Sequence, residues 1–223
     1  MKVLELFCGT KSFAKLAQAR GHQTFTIDID PQFEPDMVAD IGKLQVGDLP
    51  EDWRHPDVVW ASPPCTCFSV AALYRNWQQV GAQYFPRRPE AVEAEQLVRH
   101  TLWLIRELSP ACYFIENPRA MLRKLGMMNE LPKRRTVTYC QYGAKTQKPT
   151  DIWTNYYGWV PRPMCHPEDP CHEGAPRGSK KGVQGIAFSD RTRSPIQRAI
   201  VPAQLCEEII IACEKASKEE RDK

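Results

Sequence analysis

No stretch of the 223-residue sequence approaches the roughly 18 consecutive apolar residues that a membrane-spanning helix requires, so a helical membrane protein is excluded as a reading. A disulfide framework is also missing. The nine cysteines are odd in number and irregular in spacing, and Cys8, Cys112, Cys206 and Cys213 sit inside apolar runs. The first residues, Met1-Lys2-Val3-Leu4-Glu5-Leu6, enter a strand-like run directly. Together these features predict a reducing, cytoplasmic location. A second large domain is not indicated either: the length suits one α/β domain with a small appendage.

A strong excess of one charge is absent overall, since the net charge is only +3. Its distribution is more informative. Residues 1–118 carry 11 basic and 15 acidic side chains, whereas residues 119–198 carry 15 and 6, a local net of +9. Arg119, Arg123, Lys124, Lys133, Arg134, Arg135, Lys145, Lys148, Arg177, Lys180, Lys181, Arg191, Arg193 and Arg198 make either a phosphate-binding face or a solvated surface. Charge alone does not choose between them.

What is present is alternation of strand and helix. Val3 to Phe7 reads as a strand, Phe13 to Arg20 as a helix closed by Gly21, and Thr24 to Ile29 as a second strand. Asp57 to Ala61 and Ala111 to Ile115 read as further strands. Pro89 to Leu108 is the clearest helix, with Val92, Leu97, Leu104, Ile105 and Leu108 on one face and Ser109-Pro110 as its stop. Strands joined by helices imply an α/β fold with a doubly wound, mostly parallel sheet. Between Cys67 and Arg88 no period is evident, and a loop is expected whose aromatics and arginines either cover a substrate or pack on the body. Residues 155–195 are rich in proline and glycine and read as irregular. Ala203 to Ala216 predicts a last helix, followed by a frayed charged tail.

Chemistry concentrates at strand ends. Ser62-Pro63-Pro64-Cys65 closes the apolar run from Asp57, and two prolines fix φ, remove two backbone donors and stop the strand. Cys65 is thereby the candidate nucleophile at the edge where open α/β sheets place ligands, its alternative being a small buried hydrophobe. Phe114-Ile115-Glu116-Asn117-Pro118 repeats the design with a carboxyl, the alternative being a helix cap. After the first strand, Phe7-Cys8-Gly9-Thr10 makes a turn that lets a ligand approach the backbone. About 20 residues on, Asp28 and Asp30 end the second strand, where a carboxylate accepts from a ribose diol. Asp40, at the next strand end, is placed to accept an adenine amino group.

These segments resemble the S-adenosylmethionine-dependent cytosine-C5 DNA methyltransferases, particularly the compact forms of phages and prophages. The resemblance rests on LELFCGT at 4–10, SPPCTCFS at 62–69, FIENP at 114–118 and YGAKTQKPTDIWTN at 142–155, in the family's order. It implies a Rossmann-like methyltransferase fold with a small target-recognition insertion. Residues 1–154 would form the cofactor-binding and catalytic domain, 155–195 the irregular recognition region, and 196–223 a C-terminal helix returning to the first. It further implies S-adenosyl-L-methionine held by Phe7, Cys8, Gly9, Thr10, Asp28, Asp40 and Pro63, and a monomer acting on duplex DNA with an extruded cytosine in a bacterial or phage-infected cell. A Cys65 thiolate, favoured by backbone donors and positive charge, would add to C6 while Glu116, kept protonated by burial, bonds N3 and Asn117 orients the loop. Ser69, Arg75, Gln147, Lys148, Arg177, Lys180, Lys181, Arg191 and Arg193 would contact the nucleic acid. A tRNA cytosine methyltransferase and a non-catalytic nucleic-acid-binding relative are the alternatives.

The chain departs from the family pattern at four places. Lys11 and Ser12 stand where further glycines are usual. The family's Gln-x-Arg-x-Arg stretch corresponds to Gln147-Lys148-Pro149-Thr150-Asp151, without either arginine. The closing Gly-Asn pair is missing, with Ile200-Val201-Pro202 in its place, and the recognition region is short. Cys165-His166-Pro167-Glu168-Asp169-Pro170-Cys171-His172 has metal-ligand residue types, but they crowd one loop without a second pair. The cluster is either part of a zinc site or a proline-braced loop with two packed thiols, and no metal is assigned.

Overall fold

The computed structural model describes residues 1–166, 169–173, 182–183, 186–187 and 194–221. In chain order its main strands are β1 (Lys2–Leu6), β2 (Gln23–Asp28), β3 (Met37–Val38), β4 (Val58–Ala61), β5 (Trp77–Val80), β6 (Gln83–Pro86), β7 (Cys112–Pro118), β8 (Lys133–Thr138) and β9 (Pro149–Thr154). The helices are α1 (Ser12–Ala19), α2 (Leu73–Asn76), α3 (Pro89–Leu108), α4 (Pro195–Ala199) and α5 (Ala203–Arg221). Seven strands form one sheet in the order β3-β2-β1-β4-β7-β9-β8. The pairs from β3 across to β7 are parallel, while β9 runs antiparallel to both its neighbours. This is the doubly wound, mostly parallel sheet that the strand–helix alternation predicts. Among the described residues, no helix is long and apolar enough to cross a membrane.

The central strands are apolar on both faces because both faces are covered. Leu4, Leu6, Val59, Ala61 and Ile115 point to one side, where Ala91, Val98, Leu104, Ile105 and Leu108 of α3 pack on them. Their strand neighbours Val3, Val58, Trp60 and Phe114 point to the other. There Phe13 and Ala17 of α1 and Leu205, Cys206, Ile209 and Ile210 of α5 complete a second core. Phe13 stacks on Trp60 with ring centroids 4.6 Å apart, so the first helix is seated on the central strand that leads to Cys65.

Three expectations about elements are corrected. The stretch between Cys67 and Arg88 is not a structureless loop: it forms a short 3₁₀ turn (Val70–Ala72), α2 and an antiparallel β5–β6 hairpin. Gly81 turns that hairpin at φ 59°, a conformation open to glycine. The hairpin's polar faces hid its period, and only Trp77 is buried among the β5 residues. The last helix continues to Arg221 rather than fraying after Ala216, as its run of Ala, Lys, Glu and Arg favours. The stretch read as irregular also contributes to the core: Trp159 is buried edge-on against Phe114, and its indole N–H donates to Glu208 of α5 at 3.1 Å.

One polar residue is built into the second core. Glu5 of β1 is 2% exposed, and its carboxylate accepts the Ala14 N–H at 2.8 Å and the Phe13 N–H at 3.4 Å. It thereby satisfies N-terminal donors of α1 that no side chain of the helix itself caps. The preceding Lys11 holds φ 58°, ψ 44°, a left-handed conformation that costs a non-glycine residue about 1–2 kcal/mol. Burial raises the Glu5 pKa from 4.5 to about 7, against the two N–H bonds and the charges of Lys11 and Lys15, which lower it. A carboxyl with a folded pKa above its unfolded one binds its proton more tightly when folded. The stability linked to Glu5 is therefore fully present below about pH 4.5 and is lost as pH rises to about 7, a difference of about 3 kcal/mol. Urea unfolding of Glu5→Gln should show a flatter stability profile between pH 5 and 7.5 than the wild type; an unchanged slope would mean that Glu5 is not the titrating group.

Candidate active site

The thiol and carboxyl singled out in the sequence lie at the ends of adjacent, hydrogen-bonded strands. β4 and β7 pair in parallel up to Ala61 opposite Ile115, so the chain leaves β4 toward Cys65 beside Glu116 and Asn117, which lie within β7 and pair with β9 rather than following a strand that ends at Ile115. A side-chain bond ties the two ends: Asn117, fully buried, donates Nδ2–H to the Pro63 carbonyl at 2.9 Å. Its Oδ1 is buried without a partner among the described residues. After Cys65 the chain turns tightly, with the amides of Phe68 and Ser69 donating to the Cys65 carbonyl at 3.0 and 2.9 Å. The Phe68 carbonyl accepts from Met121, which anchors this turn to the segment after β7.

Glu116 is 6% exposed, and its Oε1 accepts the phenol of buried Tyr139 at 2.8 Å. Burial and the Glu116 charge push the Tyr139 phenol well above its usual range, so it stays a donor. The Lys148 ammonium lies 4.6 Å over the Tyr139 ring and donates to the Arg198 carbonyl at 2.9 Å. The Cys65 thiol does not show the lowered pKa expected for it. Burial raises it first and the charge of Glu116 second, with Lys148 and Arg198 pulling the other way. The expectation weighed the positive charge of the site and overlooked that the paired carboxylate faces the same sulfur.

At the neighbouring end of the sheet the glycine turn and the two aspartates come together as expected. Phe7 and Gly9 both hold left-handed φ, 57° and 44°, and a Cβ on Gly9 would meet nothing within 4 Å. Cys8 is buried, with its amide on the Ile27 carbonyl, and Thr10 bonds Ser12. Asp28 is occupied more fully than the sequence suggested: Oδ2 accepts the Gly9 N–H at 2.9 Å and Oδ1 the Asp30 N–H at 3.0 Å. Each carboxylate oxygen retains a lone pair, so Asp28 can still accept from a diol while shaping the turn. Asp40 accepts from Gly42 and pairs with Lys43 at 3.3 Å. Between Asp28 and Asp30, Ile29 is 65% exposed and offers an apolar face at this edge. That surface, with open backbone and two carboxylates, suits the sugar and base of an adenosine-containing cofactor.

The remaining candidates scatter. Ser69 is half-buried beside the Cys65 turn, and Arg75 is exposed on α2. Gln147 is not directed to an open surface: its Nε2 donates to the Cys165 carbonyl and sulfur, both at 3.2 Å. Arg177, Lys180, Lys181, Arg191 and Arg193 lie outside the described residues. Tyr139 was missed, since no motif marks a phenol 23 residues from its carboxylate. Arg123, grouped in the sequence with a phosphate-binding face or a solvated surface, instead donates to buried Asp151 at 2.8 Å alongside Thr136. An acid in an otherwise apolar strand was the available signal. Asp151 stands opposite Asn117 in the β7–β9 register, and its ion pair with Arg123 braces this strand.

No family model matches the chain. Over 180 residues it is 32% identical to the protein named probable DNA (cytosine-5)-methyltransferase in Frog virus 3 (isolate Goorha), covering 77% of this chain and 78% of that one. It is similar in fold to a DNA modification methyltransferase encoded within an E. coli prophage, at TM-score 0.48 and 18% identity over 69% of this chain and 46% of that one. The S. pombe Dnmt2 methyltransferase is similar at TM-score 0.48 and 17% identity, over 72% and 53%. The chain spans about half the length of these solved structures.

Two outcomes follow from the geometry. Alkylation of Cys65 by iodoacetamide, read by peptide mass spectrometry, should have its midpoint above pH 9.0, and Glu116→Gln should move that midpoint down. A midpoint unmoved by the substitution would show that the carboxylate does not face the thiol. Arg123→Met, which leaves Asp151 charged and buried, should cost about 3 kcal/mol or more in chemical denaturation, and a loss below about 1 kcal/mol would refute the bracing role.

Proposed function

Because this chain belongs to the DNA (cytosine-5)-methyltransferase family, we propose that it transfers a methyl group from S-adenosyl-L-methionine to C5 of a cytosine extruded from duplex DNA. The observation that carries this reading is the pairing of a thiol and a carboxyl at adjoining strand ends, tied by the Asn117–Pro63 bond. Cytosine C5 is a weak nucleophile until C6 is saturated. Cys65 Sγ adds to C6 from above the ring plane as its own proton passes through the Glu116 carboxylate to N3, which leaves enamine electrons at C5. Tyr139 holds the other side of that carboxyl in place. With the base bound, the thiol's proton has an acceptor at N3 by way of the carboxylate, so base binding itself favours the thiolate. Lys148 and Arg198 favour it further.

Phe7, Gly9, Asp28, Ile29 and Asp40 would hold S-adenosyl-L-methionine at the carboxyl edge, where it supplies an electrophilic methyl. After C5 is alkylated, loss of its proton expels Cys65 and restores the ring and the thiol. Addition perpendicular to the base plane cannot occur inside a stacked duplex, so the nucleotide leaves the helix at a cost of a few kcal/mol. The basic residues after position 118, with the 155–195 region as target-recognition insertion, would offset that cost through phosphate contacts.

Incubation with methyl-labelled cofactor should label cytosine-containing duplex DNA, and Cys65→Ser should lower the rate by at least about 1000-fold. Duplexes carrying 5-fluorocytosine, whose fluorine cannot leave C5 as a cation in the way the proton does, should trap the wild type covalently and not Cys65→Ser. Methylation that survives the substitution would overturn the proposed mechanism, and labelling of tRNA in preference to DNA would overturn the proposed substrate.

A further inference from the structure

The loop read from the sequence as either part of a zinc site or two packed thiols acquires a third sulfur in the fold. Cys140, in the 3₁₀ turn Tyr139–Tyr142 that follows β8, comes against Cys165, Cys171 and His172. The three sulfurs and the His172 Nδ1 all lie within 4.8 Å of one another. Four of the six edges are closer still: Cys140 to Cys171 is 3.6 Å, Cys140 to Cys165 is 3.0 Å, and Nδ1 lies 3.7 Å from Cys165 and 3.5 Å from Cys171.

Tetrahedral zinc with sulfur ligands at about 2.3 Å and nitrogen at about 2.0 Å requires edges of about 3.7 Å between sulfurs and about 3.5 Å between sulfur and nitrogen. Three of the four measured edges fall on these values. The short Cys140–Cys165 edge is about 1 Å longer than a disulfide bond and opens slightly to admit the ion. The surroundings suit thiolates as well. Gln147 donates Nε2–H to the Cys165 sulfur at 3.2 Å, and Gln141 Nε2 lies 3.5 Å from the Cys171 sulfur. Such N–H donors spread the negative charge that three thiolates around one divalent ion leave over.

We propose that Cys140, Cys165, Cys171 and His172 bind one structural zinc ion, the three thiols releasing their protons as the ion enters. Four protein ligands close the coordination shell, so the ion is a brace and not a reagent. It fastens the 165–173 segment to the turn whose first residue, Tyr139, holds Glu116. It also explains where the Gln147 amide goes. His166 is outside the cluster and bonds instead through its backbone N–H to Asp169.

The test needs neither DNA nor cofactor, so it stands or falls apart from the proposed activity. The full chain, purified without chelator, should carry roughly one zinc per molecule by plasma mass spectrometry, as a four-ligand structural site requires. Cys171→Ser and His172→Ala should each reduce that at least about tenfold, while His166→Ala should retain it. Cobalt(II) exchanged into the wild-type protein should give the d–d bands of a tetrahedral site and a near-ultraviolet sulfur-to-cobalt charge-transfer band, a readout independent of whether the variants fold. Substoichiometric zinc, metal retained in Cys171→Ser, or a cobalt spectrum without sulfur charge transfer would each overturn the proposal.

Discussion

The hydrogen-bonded pairing of β4 with β7 is the constraint on which the site depends. Parallel registration sets Ala61 beside Ile115; β4 ends there and leads to Cys65, while β7 continues through Glu116 to Pro118 paired with β9. Neither residue needs a flexible partner to find it. The prolines after β4 prevent the strand from continuing, and the buried Asn117 amide fastens the departing backbone at Pro63. Cores on both faces of the sheet keep the register from slipping, because a one-residue shift would exchange Val58 and Val59 between two different sets of helices.

Several buried polar groups do the same kind of work at different points of this edge. Glu5 completes the start of α1, Asp28 ties the Gly9 turn to the end of β2, and Asp151 joins β9 to β8 through Thr136 and to Arg123. Each carboxylate accepts from N–H or O–H donors, which is how such groups are tolerated in an interior, although Asp151 Oδ2 is buried without a partner among the described residues. The consequence for Cys65 is opposite. Burial first and the Glu116 charge second push its thiol pKa up, so the resting sulfur keeps its proton.

The β-α alternation, the long helix from Pro89 and the thiol and carboxyl at strand ends were legible in residue order because each depends on contacts a few positions apart. Proline stops, a helical period and a glycine turn are local physics. The hairpin at 77–86 was not legible, since most of its side chains face water and carry no alternation. Nor was the role of Gln147, whose position within a recognisable stretch suggested an exposed contact while its amide turns inward to Cys165. Cys140 escaped notice because 25 residues separate it from Cys165, with no short paired spacing to mark it.

By itself the amino-acid sequence determined the class of sheet, the strand ends that carry Cys65 and Glu116, and the edge where Asp28 and Asp40 gather. These follow from where apolar runs stop and what stops them. Only the tertiary structure decided that Tyr139 holds Glu116, that Arg123 neutralises Asp151, that Cys65 feels a neighbouring negative charge, and that the distant Cys140 converges on Cys165, Cys171 and His172. Those outcomes depend on through-space distance between segments brought together by packing, and chain spacing carries no record of it.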